Sequence, residues 1–144
     1  MAKTVLIWSW KERMGGGGLC AMELGRALNG FSGWSTVLYC LEGSELEEGA
    51  RKFGLVVQRL PKRLWSDGGV IWNWRQVRSE FRKVLKMVGP DVVINPMVTL
   101  RQTLLVPELR RLGCRYVLLV HEAGFRKGNS GLVDRVGAMA QRFE

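Results

Sequence analysis

The residues able to do chemistry gather at a few places in the chain. Met14 is followed by four consecutive glycines, Gly15, Gly16, Gly17 and Gly18, just ahead of an apolar-periodic stretch that begins at Leu19. Glycines let a backbone approach a ligand closely. The free amides and positive dipole end of a helix start attract an anion, typically a phosphate. Without a ligand the same run is a flexible loop that weakens the helix start. His121 is the single histidine, and it stands beside Glu122 and ahead of Gly124. Its near-neutral pKa lets it donate to phosphate or hydroxyl groups or act as a base, with Glu122 orienting it or meeting a sugar hydroxyl. Lone histidines are more often structural. Asn95 closes an apolar run before Pro96 and can bond a polar ligand or cap a turn. Trp10 can stack on a sugar ring or belong to the core.

A further feature is charge. The chain carries Lys+Arg 22 against Asp+Glu 13, a net charge of +9 over 144 residues. Between Arg51 and Lys86 ten basic residues face two acidic ones, Asp67 and Glu80, so this segment alone holds a balance of +8. Arg75, Arg78, Arg82, Lys83 and Lys86 fall on one side of a helical pattern whose other side is Ile71, Trp74, Val77, Phe81, Val84, Leu85 and Val88. The plain reading is a solvated helix face. With Trp65, Trp72 and Trp74 nearby, the pattern also suits a partner or the anionic head groups of a membrane. No winged, zinc or RNA-binding motif accompanies it, and no nucleic acid is expected.

Positioning these residues falls to alternating strands and helices. Thr4 to Trp8, Trp34 to Leu41, Leu55 to Leu60, Asp91 to Asn95 and Arg115 to Val120 read as strands. Leu19 to Leu28, the stretch capped by Ser44 and Glu47, the basic stripe, and Thr99 to Leu112 read as helices. Ser44-Glu45-Leu46-Glu47 is a capping box, Gly54 suits a left-handed helix end, and Pro107 must kink or split its helix. Gly124 to Glu144 starts as a loop and turns helical from Leu132. Strands separated by helices imply βαβ units. The continuous apolar runs Val92 to Ile94 and Val117 to Val120 fit a sheet covered on both faces. The expectation is one α/β domain: a Rossmann-like open parallel sheet with helices on both faces, holding the glycine run, Asn95 and His121 at the carboxyl ends of its strands.

Other classes are excluded by composition. A hydrophobic share of 47% argues against disorder. Cys20, Cys40 and Cys114 are widely spaced, form no C-x-x-C pair and have one histidine for company, so no metal set is expected. They read as thiols of a reducing compartment. No apolar run approaches the ~20 residues needed to span a bilayer. The expectation is a cytoplasmic protein, peripheral at the inner membrane face if it meets a membrane at all. Gly16-x-Gly18-x-x-Ala21 also fits a dinucleotide fingerprint, with Glu42 where a ribose-binding acid would stand. Ser9 to Met14 make a longer loop than that motif has, and a Walker pattern is absent.

Taken in order, Lys3 to Ile7, Gly15 to Gly18 running into Met22-Glu23-Leu24-Gly25-Arg26-Ala27-Leu28, Pro90 to Asn95, and Arg111 to Glu122 resemble the N-terminal domain of GT-B glycosyltransferases of the family 4 type. The resemblance spans nearly all of the chain. It implies an acceptor-side domain of an enzyme that moves a sugar from a nucleotide-sugar donor to a lipid-linked or polysaccharide acceptor, without a metal and with no cofactor beyond the co-substrate. By the resemblance, Gly15 to Gly18 lie near the donor phosphates and acceptor, and His121 near the transferred sugar. The Trp72 to Lys86 helix would meet the membrane. The family's C-terminal donor-binding domain, its paired glutamates and its basic residue beside the donor phosphates have no counterpart in residues 1–144. The activity is then incomplete without a C-terminal domain or subunit. Two other readings stay open: a nicotinamide- or nucleotide-binding Rossmann module, and a non-catalytic module that uses its basic helix on a membrane or protein surface.

Overall fold

Alternation along the first strand decides the architecture. Successive strand residues point to opposite faces. In β1 (Lys3–Ser9), Val5 and Ile7 enter one apolar cluster while Leu6 and Trp8 enter another. All four are fully buried, so both faces of the sheet are covered. The computed structural model describes residues 2–65, 73–96 and 99–119. Within them β1 is joined by β2 (Trp34–Leu41), β3 (Val56–Leu60), β4 (Val92–Asn95) and β5 (Arg115–Leu118). The strands lie in the order β3-β2-β1-β4-β5 and every pairing is parallel.

The helices divide by face. α1 (Gly16–Asn29) and α2 (Glu45–Lys52) bury Ala21, Met22, Leu46 and Ala50 against Val5, Ile7, Leu38 and Cys40. The opposite face is covered by α3 (Lys62–Trp65), α4 (Trp74–Val88) and α6 (Val106–Arg111), with the short α5 (Leu100–Thr103) leading into α6. There Leu64, Val77, Phe81, Leu85 and Leu109 pack on Leu6, Trp8, Tyr39 and Val93. This is the Rossmann-like α/β fold with helices on both faces.

Local chemistry sets most of the boundaries. The Ser44 hydroxyl accepts from the Glu47 amide at 3.2 Å, and the Glu47 carboxylate accepts from the Gly43 amide at 2.6 Å. Together they engage two of the donors around the start of α2. Gly89 ends α4 at φ 58, a left-handed value that glycine adopts without strain. The helical stretch after Thr99 splits at Leu104–Leu105, and Pro107 sits in the first turn of α6, where its missing N–H is no loss.

One boundary differs from the sequence reading. α1 begins at Gly16, so Gly16, Gly17 and Gly18 are its first turn and not a loop ahead of it. Gly17 and Gly18 are buried, and a methyl on Gly18 would lie 3.1 Å from Met14 Cγ and 3.7 Å from Leu46 Cδ1. Tertiary packing extends the helix through residues of poor propensity. The Asp67-Gly68-Gly69 turn, Ile71, Trp72 and the stretch from Gly124 to Glu144 lie outside the described residues.

Candidate functional site

The topology places a crevice by itself. The chain leaves β1 towards β2 and β3, then crosses back to β4 on the other side of β1. Ligands of open parallel sheets bind outside the carboxyl ends of the strands at such a switch point. Ser9 ends β1, Asn95 ends β4, and the glycine turn follows β1 at this same edge.

The glycine turn leaves its amides without bonds inside the helix. Gly15 is extended at φ -101 and ψ -164, and no side chain caps the helix. The first helical bond runs from the Leu19 amide to the Gly15 carbonyl at 3.0 Å, so the amides of Gly16, Gly17 and Gly18 precede it. A methyl on Gly15 or Gly16 would meet nothing within 4 Å, which leaves the approach open. No acidic residue stands in the first turn. One carboxylate does stand beside it: Glu45 accepts from the Met14 amide at 2.8 Å, while its own amide donates to the Glu12 carbonyl at 3.2 Å. The first turn of α2 thus clamps the chain just before the glycines and brings negative charge there. The capping box located Glu45 at a helix start, but no local pattern signalled its reach to Met14.

Asn95 and Trp10 are both buried, and Trp10 belongs to an aromatic cluster of the core. Asn95 is fully buried at the end of β4, which pairs with the β5 strand that carries Tyr116. Burial pushes the Tyr116 phenol up to about 12, and the polar Asn95 side chain works against that rise. Trp10 is 2% exposed, and its ring meets Trp8 at 5.2 Å, Tyr39 at 5.1 Å, Trp65 at 4.8 Å and Phe81 at 5.7 Å. The Trp10 ring is thus packed among four other rings. The period-2 series Leu6, Trp8, Trp10 carried this signal beyond the end of the strand. Ser9, which the sequence did not single out as a ligand group, is 2% exposed with a hydroxyl lacking any partner among the described residues. His121 and Glu122 lie outside the described residues.

The basic helix is far from uniformly solvated. Glu108 on α6 is 3% exposed and takes a 2.6 Å hydrogen bond from Arg78 Nε. It also receives Arg82 through both Nε and Nη2, and Arg111 at 3.2 Å. The bonds from Arg82, more than those from Arg78, hold the Glu108 carboxyl below the usual range against the opposing effect of burial. Arg78 and Arg82 therefore serve the joint between α4 and α6, whereas Arg75, Lys83 and Lys86 are exposed. Trp65 and Trp74, expected near a membrane, pack against the core. Glu108 sits in an arginine-rich stretch, and nothing in its own neighbourhood pointed to partners on α4.

Among the described residues no group of three or more His, Cys, Asp or Glu could hold a metal ion, and no helix is long and apolar enough to cross a membrane. Cys20, Cys40 and Cys114 are free thiols.

No family model matches the chain, and no curated protein matches it in sequence. Solved structures do match its shape. MurG of Acinetobacter baumannii aligns over 93% of this chain at TM-score 0.65 and 14% identity. A glycosyltransferase from Rickettsia africae ESF-5 aligns over 94% at 0.60 and 11%. Saccharopine dehydrogenase (L-Glu forming) from Saccharomyces cerevisiae aligns over 85% at 0.56 and 17%. The alignments cover 39%, 34% and 23% of those chains. The fold is thus glycosyltransferase-like in the GT-B sense and equally a Rossmann-like fold found in a dehydrogenase.

Proposed function

We propose that this chain is the acceptor-side half of a glycosyltransferase of the family 4 kind, moving a sugar from a nucleotide-sugar donor to a lipid-linked or polysaccharide acceptor. The observation that carries the reading is the glycine-started α1 at the switch point of a sheet that aligns over nearly its whole length with MurG and a glycosyltransferase. The first-turn amides, which make no bond within the helix, suit a phosphate or a hydroxyl-rich acceptor. His121 serves as the base or donor beside the transferred sugar, and Glu122 orients it. No metal and no bound cofactor is needed; the nucleotide-sugar is the co-substrate. A C-terminal donor-binding domain or subunit completes the site. The setting is the cytoplasm, at the inner face of the membrane where a lipid-linked acceptor is used. The test is transfer from UDP- and GDP-sugars by the chain alone and by the chain joined to the coding sequence downstream of residue 144. Turnover only in the joined form, lost on His121→Ala, is expected. Tight donor binding by the isolated chain overturns this division of labour.

A second reading, a nicotinamide- or nucleotide-binding module, is favoured by the likeness to saccharopine dehydrogenase and by Gly16, Gly18 and Ala21 in the first two turns of α1. Saturable NADH binding lost on Gly16→Val selects it over the first.

A further inference from the structure

One face of α4 is an open surface concavity lined, among the described residues, by Arg75, Arg78, Ser79, Arg82, Lys83 and Lys86, none of them acidic. A row of surface cations usually means solvation and little more. This row differs because two of its members are held in place. Each guanidinium carries five N–H donors in a rigid fork. Arg82 gives two of them to Glu108 and Arg78 gives one, so seven of the ten make no hydrogen bond among the described residues. The two side chains are 40% and 41% exposed, while the Glu108 side chain is 4% exposed. The carboxylate is therefore buried while the two forks it holds stay partly open to solvent. Arg111 adds a third cation to the same carboxylate, and one negative charge cannot neutralise three positive ones.

We propose that this face is a binding site for phosphate esters carrying two or more negative charges, organised by Glu108. A guanidinium fork matches phosphate oxygens bidentately. Arginines already immobilised lose less rotamer freedom on binding than free ones. Ser79 adds a hydroxyl donor, and Arg75, Lys83 and Lys86 add charge along the rim. The nearest acid on the helix, Glu80, lies 3.8 Å from Lys83 and meets neither fork among the described contacts. The site is on a different element from the glycine turn, and the proposal does not depend on the glycosyltransferase reading.

The test is an NMR titration of the whole chain with inorganic pyrophosphate at low salt. Saturable shifts at Arg78, Ser79 and Arg82 are expected. The triple variant Arg75→Gln, Lys83→Gln, Lys86→Gln, confined to exposed side chains, should lower affinity by about tenfold. The diagnostic variant is Glu108→Gln. Simple attraction between charges predicts tighter binding once an acid is removed, whereas an organising carboxylate predicts weaker binding. Glu80→Gln removes an acid that meets neither arginine fork and pairs only with Lys83 among the described contacts, so it should bind slightly tighter, and with the triple variant it keeps the proposal testable if Glu108→Gln does not fold. Phosphatidylcholine vesicles with and without phosphatidic acid separate the sources. Retention only with phosphatidic acid, relieved by pyrophosphate, assigns a lipid head group; pyrophosphate binding without vesicle retention assigns a soluble ester. Shifts absent from residues 75–86, an unchanged affinity in the triple variant, Glu108→Gln binding as tightly as the parent, or binding confined to RNA or DNA would each overturn the proposal.

Discussion

Glu108, in the first turn of α6, accepts a hydrogen bond at 2.6 Å from Arg78, which lies on α4 across the joint between the two helices. The pair ties a helix that covers the sheet to the short helix feeding β5. Glu108→Gln keeps the shape of the side chain but removes the charge that three guanidiniums share. Hydrogen bonds to charged groups contribute more than neutral ones, and the arginines are partly open to water, so a loss of about 2 kcal/mol is expected. Urea unfolding should show a lower midpoint with an unchanged slope.

The same carboxylate gives stability a pH dependence. Its folded pKa lies below the ordinary Glu value of 4.5, chiefly through the Arg82 bonds. Glu47 is lowered too: burial alone would raise it, but the Gly43 amide and Arg51 outweigh that. A depressed carboxylate stabilises the folded state above the unfolded pKa and loses that contribution as pH falls through the folded one. Midpoints of unfolding should therefore be level from pH 7 to about 5 and fall below about 4.5. Glu108→Gln should flatten part of the acid limb; an identical limb in the variant would show that Glu108 does not contribute to it.

The sheet was largely legible in the sequence because its signals are local. β2 spans Trp34–Leu41 as its largely apolar run suggests. Ser44 and Glu47 cap α2, and Pro107 divides its helix. The site was less legible because its decisive contacts are not local. Asn95 acts on Tyr116 from the neighbouring strand, Glu45 reaches Met14 across 31 positions, and Glu108 reaches Arg82 across 26. Side-chain type and spacing along one element do not encode such pairings. The glycine run misled in another way, since propensity places a helix start after it and packing places the start within it.

Trp10 tests whether the aromatic cluster is structural. Its indole is surrounded by Trp8, Tyr39, Trp65 and Phe81. Truncating a buried aromatic leaves a cavity and costs about 3–5 kcal/mol. Trp10→Ala should lower the melting temperature sharply and erase much of the near-ultraviolet circular dichroism. A variant as stable as the parent would return Trp10 to the list of ligand contacts.

Gly16 separates stability from binding. A methyl there meets nothing within 4 Å, and the residue already lies in α1. Gly16→Ala should raise stability by about 0.5 kcal/mol by restricting the unfolded chain. If the open side of the turn receives a phosphate, the same methyl should weaken UDP binding, read by calorimetry. A gain in stability with unchanged UDP binding would show that the ligand does not approach this residue.

Glu45 offers the sharpest reading of the glycine turn. Its carboxylate accepts from the Met14 amide, one residue ahead of Gly15, and its backbone holds Glu12. The carboxylate therefore does two things at once: it fixes the loop that precedes α1, and it sets a negative charge beside amides suited to an anion. Glu45→Gln separates the two, because the amide oxygen still accepts from Met14 while the charge is gone. Glu45 is not a buried ion, so the stability change should stay below about 1 kcal/mol. If the turn receives phosphate, UDP affinity should rise severalfold, and the gain should shrink at high salt as the Coulomb contribution is screened. Glu45→Ala removes the acceptor as well and should bind more weakly than Glu45→Gln, since the loop is then no longer held. Equal UDP affinity in the parent and in both variants would show that the turn does not take an anion.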